Sequence, residues 1–147
     1  MKVDNYNKYF QRVFTLARRG EGQTSPNPMV GAVIVKKNKI IGEGYHKIYG
    51  GNHAELQALN NCNESPAGAE LYINLEPCCH YGKTPPCVDK LISGKIKNVF
   101  ISMVDPNPLV AGKGIKKLEE AGIEVKTGFF ESEARILNEI FIKNIEQ

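Results

Sequence analysis

Apolar residues follow a helical period at the start of the chain and a strand pattern after it. From about Asp4 to Arg19 they recur three or four positions apart, which predicts an amphipathic helix with Asp4 as its cap. The run Met29–Val35 is short, apolar and rich in β-branched residues, and Lys37–Asn38 separates it from a second run, Ile40–Tyr45. This pattern predicts a β-hairpin.

The rest of the chain alternates helical and strand patterns. Further strands are predicted at Leu71–Leu75, Val99–Ser102 and Ile123–Val125, with helices at about His53–Asn61, Pro86–Gly94, Ile115–Gly122 and Glu131–Lys143. Such alternation requires crossover connections, which place helices on both faces of a mostly parallel sheet. We therefore expect residues 1–147 to form one α/β domain, a three-layer α/β/α sandwich around a mixed five-stranded sheet in which the hairpin supplies one antiparallel strand.

Composition narrows the class of partner. The chain is 41% hydrophobic and 24% charged, with a formal net charge of +3, which is ordinary for a soluble domain. No apolar run approaches the roughly 20 residues that cross a bilayer, and the N-terminus lacks a secretory signal, so we expect a cytoplasmic protein without a membrane partner. The lysines are scattered, which favours solvated faces over a nucleic-acid site, so we expect no nucleic-acid partner.

Four cysteines, Cys62, Cys78, Cys79 and Cys87, raise the question of metal binding. In a reducing cytoplasm, a cysteine cluster indicates metal binding or catalysis more often than a disulfide framework. Cys62 stands apart on the apolar side of a predicted helix and is expected to be a small core residue. The other three, Cys78, Cys79 and Cys87, lie in one predicted loop and at the start of the helix predicted after it.

Two segments, His53-Ala54-Glu55 and Pro77–Cys87, each follow a predicted strand and lead into a helix, and together they predict a catalytic zinc site. A catalytic zinc keeps three protein ligands and one open position. His53, Cys78 and Cys87 supply one imidazole and two thiolates, whose charge balances the +2 of the ion. Glu55 comes two residues after a ligand and is suited to accept a proton from the attacking water and pass it on.

These segments resemble the zinc nucleobase deaminases. Eight residues separate Cys78 from Cys87, where the general signature of those enzymes has two. This longer spacing is similar to that in the deaminase domain of riboflavin-biosynthesis enzymes. So are three further stretches, at Thr24–Gly31, at Gly42–His46, and at Asp105–Pro108 with Ala111–Gly114. The resemblance covers about residues 10–141 and implies a cytidine-deaminase-like fold.

The resemblance implies a substrate and a set of binding residues. That family converts 2,5-diamino-6-(5-phosphoribosylamino)pyrimidin-4(3H)-one to 5-amino-6-(5-phosphoribosylamino)uracil and ammonia, with one Zn²⁺ per chain. The small phosphorylated pyrimidine is expected to contact Asn27, His46, His80, Lys83, Thr84, Asp105 and Asn107. Lys83 is a sensible partner for the phosphate, as a flexible point charge. Asn27, Asp105 and Asn107 lie beside prolines, where their side chains also make turns.

In many members of this family an NADPH-dependent reductase domain follows the deaminase, and Leu137–Phe141 resembles the junction. No residues follow Gln147, so we expect neither reduction nor a nicotinamide cofactor from this chain. It is then either a stand-alone deaminase or a piece of a longer protein that carries a reductase domain. Proteins of this fold commonly associate, so the sequence leaves open whether the chain forms a homo-oligomer.

Three alternatives remain open from the residues alone. The enzyme could act on another base, such as cytosine, guanine or a tRNA adenosine, because these deaminases share the zinc and the glutamate. The zinc could instead be structural, closed by a fourth ligand such as Cys79 or His80. The chain could also be a zinc-stabilised binding module without chemistry.

Overall fold

A mixed sheet forms the centre of the computed structural model, which describes residues 2–22, 28–47, 52–78, 87–139 and 142–143. Its strands are β1 (Gly31–Lys36), β2 (Lys39–Tyr45), β3 (Glu70–Leu75), β4 (Asn98–Met103) and β5 (Glu124–Thr127). They lie in the order β2-β1-β3-β4-β5. β1 is antiparallel to both of its neighbours, whereas β3, β4 and β5 are mutually parallel. The predicted mixed five-stranded sheet with one antiparallel hairpin strand is confirmed over the described residues.

The hairpin turn lies where the sequence predicts it. Lys37 and Asn38 join β1 to β2 with φ angles of 51° and 63°. Two consecutive left-handed residues match the twist of a two-residue hairpin, and asparagine tolerates that conformation well.

Helices cover both faces of the sheet. They are α1 (Lys2–Arg18), α2 (Ala54–Asn60), α3 (Cys87–Ser93), α4 (Lys113–Glu120) and α5 (Glu131–Leu137). Buried residues of α1 and α5 join one core cluster, which includes Phe10, Phe14 and Ala134. Residues of α2, α3 and α4 join a second cluster, which includes Ala58, Leu91 and Leu118. The predicted three-layer α/β/α sandwich is therefore confirmed.

Two predicted helix ends are wrong. Asp4 is not a cap, because helical backbone already begins at Lys2 and places Asp4 inside α1. α5 ends at Leu137 rather than continuing unbroken to Lys143, because Asn138 leaves the helical conformation with φ −113° and ψ 32°. Within the part of the chain that the structure describes, no helix combines the length and the apolar run that crossing a membrane takes.

The sheet topology brings four chain segments to one edge. β2 runs in the same direction as β3, β4 and β5, because β1 is antiparallel to both β2 and β3. The residues that follow these strands, including His46, Glu76 and Asp105, therefore emerge on the same side. This edge carries the predicted chemistry.

Two glycines of β2 let α2 lie directly on the sheet. A Cβ at Gly42 would come within 2.4 Å of the Ala58 carbonyl oxygen, and one at Gly44 within 2.5 Å of the Ala54 carbonyl oxygen. Nonbonded atoms do not approach so closely, so only glycine fits at these positions. The contact fixes the start of α2, where His53 and Glu55 lie.

Candidate metal centre and active site

Three metal-ligand side chains meet at the sheet edge. The ligand atoms of His53, Cys78 and Cys87 all lie within 4.8 Å of one another. His53 Nδ1 is 3.6 Å from the Cys78 sulfur and 3.3 Å from the Cys87 sulfur. The three residues that the sequence predicts as a ligand set are therefore positioned to bind one metal ion.

The spacing of these donor atoms fits zinc. Tetrahedral coordination with Zn–S and Zn–N bonds of about 2.3 and 2.1 Å places sulfur and nitrogen roughly 3.6 Å apart. The separation of 3.6 Å to the Cys78 sulfur matches that value, and the separation of 3.3 Å to the Cys87 sulfur is slightly shorter. Thiolate and imidazole are also the donors that zinc prefers.

Strand ends and helix starts hold the ligands in place. His53 precedes α2 with extended backbone, and Cys78 comes three residues after β3 ends. Cys87 is the first residue of α3, as predicted. Its backbone N–H donates to the Cys78 sulfur at 3.4 Å, and the N–H of Val88 donates to the Cys78 carbonyl at 3.1 Å. The start of α3 is thus tied to the segment that carries the other thiol.

The two thiols differ in acidity. The Cys87 thiol donates to the Cys78 sulfur, and this bond, together with that from His53, lowers the pKa of Cys78 to about 4. The same bond and burial raise the pKa of Cys87. The Cys78 thiolate raises the pKa of His53 in turn. The site therefore already stabilises one thiolate beside the imidazole, which is the form that binds metal.

Glu55 lies beside the ligand set. It occupies the first turn of α2, is 4% exposed and lies beside the Cys87 side chain. Burial, reinforced by the Cys78 thiolate, raises the pKa of Glu55 to about 7. A divalent cation on the neighbouring donors acts in the opposite direction, because it favours the carboxylate. Such a buried carboxyl group is suited to exchanging protons with a bound molecule.

A cavity of about 250 Å³ opens onto these groups. Its apolar lining comes from Pro28, Val30, Ile73 and Leu75, and its polar lining from His46, His53, Glu55, Glu76, Cys78 and Asp105. The volume lies just below the roughly 300–1,000 Å³ of small-molecule sites. The cavity thus offers space for a small molecule beside the metal ligands and the buried carboxyl group.

His46 lies in the wall of this cavity. It is 2% exposed, and its ring packs edge-on against that of His53 at a centroid distance of 5.5 Å. Nδ1 donates to the Asn52 carbonyl at 3.2 Å, because a carbonyl can only accept. Burial lowers the pKa of His46, and this favours the neutral ring. The geometry brings this predicted substrate residue to the site.

The loop after β4 carries two more predicted substrate residues. Asp105 lines the cavity, and its carboxylate accepts the backbone N–H of Asn107 at 2.9 Å. The Asn107 side chain accepts the N–H of Leu109 at 3.0 Å. Both therefore make the turns that their neighbouring prolines suggest. The structure brings Asp105 to the site, whereas Asn107 is not among the residues that line the cavity and makes hydrogen bonds within the same loop. Asn27, His80, Lys83 and Thr84, also predicted to contact substrate, lie outside the described residues.

Glu76 was missed by sequence reasoning. It follows β3 and is 7% exposed, and its carboxylate accepts backbone N–H groups from Asp105, Gly112, Gly114 and Ile115 at 2.9–3.3 Å. The signal available in the sequence was a charged residue between the apolar end of β3 and Pro77. The four backbone N–H groups that bind its carboxylate have no sequence signature.

Comparisons with known proteins point in the same direction. A family model for the zinc-binding region of cytidine and deoxycytidylate deaminases matches residues 3–103. The chain is 58% identical over 134 residues to riboflavin biosynthesis protein RibD of Bacillus amyloliquefaciens, covering 91% of this chain and 36% of that protein. It is 53% identical over 137 residues to the diaminohydroxyphosphoribosylamino-pyrimidine deaminase of Buchnera aphidicola subsp. Schizaphis graminum, covering 93% of each.

A solved structure agrees over the whole fold. It is a diaminohydroxyphosphoribosylaminopyrimidine deaminase/5-amino-6-(5-phosphoribosylamino)uracil reductase from Thermotoga maritima, with a TM-score of 0.95 and 44% identity. The match covers 99% of this chain and 42% of that protein. The chain thus spans only 36–39% of the length of the RibD relatives it matches first, but nearly all of the shorter Buchnera protein.

Proposed function

Because this chain belongs to the family of zinc-binding cytidine and deoxycytidylate deaminases, we propose that it deaminates 2,5-diamino-6-(5-phosphoribosylamino)pyrimidin-4(3H)-one. The products are 5-amino-6-(5-phosphoribosylamino)uracil and ammonia, a step in riboflavin biosynthesis. The observation that carries the proposal is the match to the Buchnera protein. That protein is named as a deaminase of this kind, and the match covers 93% of each chain.

The chain's own residues supply the proton transfers. His53, Cys78 and Cys87 would hold the zinc ion, which would supply Lewis-acid activation of the attacking water. We assign Glu55 to accept a proton from that water as its oxygen bonds to the ring carbon bearing the 2-amino group. Glu55 then protonates the adjacent ring nitrogen.

A second proton transfer completes the reaction. Glu55 takes the remaining proton of the added hydroxyl group and delivers it to the amino group. The C–N bond breaks, a carbonyl forms on the ring carbon, and ammonia leaves. The burial of Glu55 beside His53 and Cys87 supports this role, because a proton carrier must lie within hydrogen-bond reach of the groups it serves.

Substrate binding divides between the cavity and a loop. We assign the pyrimidine ring to the cavity that Val30, Ile73, His46 and Asp105 help to line. No lysine or arginine is among the described residues that line this cavity. We assign the phosphate to Lys83, which the resemblance to the deaminase domain of riboflavin-biosynthesis enzymes indicates as a substrate residue. Asn27, His80, Thr84 and Asn107 complete the proposed substrate set.

The same match supports a single deaminase domain over residues 1–147, since the Buchnera protein has nearly this length. The name of the Thermotoga protein adds a reductase acting on 5-amino-6-(5-phosphoribosylamino)uracil, which is the product proposed here. We propose that a partner domain or a separate enzyme reduces this product.

Incubation of the zinc-loaded protein with the diamino substrate tests the proposal. Ammonia release and formation of the uracil product, each stoichiometric with substrate loss, are expected. Cytidine, dCMP and guanine in parallel reactions control for another base specificity. The absence of ammonia from the diamino substrate, together with turnover of dCMP or another base, would overturn the assignment.

A further inference from the structure

One buried side chain joins the C-terminal part of the fold to the segment before β1. Asn138 directly follows α5 and is 6% exposed. Its Oδ1 accepts the backbone N–H of Met29 at 2.7 Å, and its Nδ2 donates to the carbonyl of the same residue at 2.8 Å. A carboxamide is thereby paired with both backbone groups of a residue 109 positions away in the chain, in the manner of a strand neighbour.

A second carboxamide holds the same segment. Asn74, near the end of β3, is fully buried. Its Oδ1 accepts the N–H of Gly31 at 2.9 Å, and its Nδ2 donates to the carbonyl of Met29 at 3.1 Å. The last residue pair of the β1–β3 ladder is Ala32 with Ile73. The side chains of Asn74 and Asn138 therefore fix the three residues Met29–Gly31 at the point where that ladder stops.

This fixed segment forms one wall of the cavity. Pro28 and Val30, on either side of Met29, both line it. The carbonyl of Val30 also accepts the backbone N–H of His46 at 3.0 Å. Glu55 and His53 belong instead to the start of α2. Displacing Met29 would thus move the wall that faces the substrate ring directly, whereas it would reach His53 only through the contact between the His46 and His53 rings.

We propose that Asn138 is a positioning residue for substrate binding, acting through the backbone of Met29 on Pro28, Val30 and His46. This inference rests on the proposed function, because that function supplies the substrate whose affinity is affected. Met29 presents both a donor and an acceptor to Asn138, so the role requires a carboxamide. Leucine offers neither partner, and aspartate replaces the donor with an anionic oxygen against the Met29 carbonyl.

Steady-state kinetics separate positioning from a merely structural tie. For Asn138→Leu and Asn138→Asp we expect a KM about five- to tenfold higher, kcat within about twofold of wild type and an unchanged zinc stoichiometry. Two substitutions at Asn138 are used so that the test can still be made if one of the variants fails to fold. Ile136→Ala is the matched control, because Ile136 lies in the last turn of α5, two positions before Asn138, and is 73% exposed. An unchanged KM, or equal losses in kcat and zinc content, would overturn the inference.

Amide hydrogen exchange gives a readout that does not depend on substrate. In Asn138→Leu the N–H of Met29 should exchange faster, while that of Gly31, which Asn74 holds, keeps its protection. Unchanged protection of Met29 contradicts the inference even if wild-type turnover is as proposed. A wild-type protein that does not deaminate the diamino substrate contradicts the proposed function, and the exchange result then decides alone whether Asn138 fixes this segment.

Discussion

The carboxylate of Glu76 accepts the backbone N–H of Asp105 at 3.1 Å and so ties the loop after β4 to the segment that leads to Cys78. The same carboxylate binds three more N–H groups around the start of α4. These four donors replace water around a buried charge. A metal-ligand segment and a substrate-facing loop are thus held together by one side chain.

Replacing Glu76 by glutamine should loosen this junction. The amide keeps one acceptor oxygen and turns an NH₂ group toward two backbone N–H groups, so at least two charge-assisted hydrogen bonds are lost. We expect the free energy of unfolding to fall by about 3 kcal/mol, measured by urea denaturation, and KM to rise.

Glu120→Gln is the control for this change, because it makes the same substitution at an exposed position of α4. Its unfolding free energy should stay within about 0.5 kcal/mol of wild type. A Glu76→Gln protein as stable as the control would show that the four hydrogen bonds contribute little.

Glu55→Gln should separate catalysis from structure. Glutamine has nearly the same shape and removes a carboxyl group whose pKa burial raises to about 7, so the fold and the zinc content should be retained. Because glutamine cannot carry a proton, we expect kcat to fall by about 10³-fold or more. Zinc analysis alongside turnover decides the matter: loss of metal or of the fold would make Glu55 a structural residue.

Cys87→Ser should weaken zinc binding. A serine hydroxyl is a poor ligand for zinc, and the variant leaves only His53 and Cys78 of the described set. After dialysis against a chelator, we expect much less than one zinc per chain. Cys62→Ser is the matched control, since Cys62 lies outside the ligand set and donates to the Ala58 carbonyl. Equal zinc retention in the two variants would exclude Cys87 as a ligand.

Local patterns in the sequence were sufficient to predict much of the fold and the metal centre. The Lys37–Asn38 turn and the alternation of helix and strand patterns predict the hairpin and the three layers. His53 and Cys87 lie at helix starts that follow strands, and strand ends meet at one edge of a parallel sheet. Short-range rules therefore sufficed to predict that the ligands converge.

The hydrogen bonds that fix the site could not be predicted in this way. Asn138 and Met29 lie 109 positions apart, and a single buried carboxamide leaves no periodic trace in the chain. The four backbone partners of Glu76 depend on how β4 and α4 pack, which is tertiary information. The end of α5 was missed for the same reason, since the Asn138 side chain turns to Met29 where the helical pattern continues.

Gly44→Ala should displace α2. The added Cβ would lie 2.5 Å from the Ala54 carbonyl oxygen, so the helix must move away from β2. We expect a loss of about 1–3 kcal/mol in unfolding free energy and weaker zinc binding, because His53 lies at the start of that helix. Gly94→Ala is the comparison, since its nearest neighbours are 3.3 Å or more away. Normal zinc affinity in Gly44→Ala would mean that α2 does not depend on this contact.

The ion pair between Arg12 and Glu43 should make stability depend on pH. Two hydrogen bonds, of 2.6 and 2.8 Å, join the guanidinium to the carboxylate and lower the pKa of Glu43 below its ordinary value of 4.5. A carboxyl group with a lower pKa in the folded state stabilises the protein above the unfolded value and loses this effect as the pH falls through the folded value. Glu43→Gln should therefore cost stability at neutral pH but not in acid.

The two side chains are 35% and 29% exposed, so the expected cost at pH 7 is only about 0.5–1 kcal/mol. The difference in unfolding free energy between wild type and Glu43→Gln, measured in urea from pH 7 to pH 3, should stay constant above about pH 4.5 and shrink below it. Other carboxyl groups titrate equally in both proteins and cancel in this difference. A difference that persists unchanged to pH 3 would show that packing of the Glu43 stem, rather than its charge, stabilises the contact between α1 and β2.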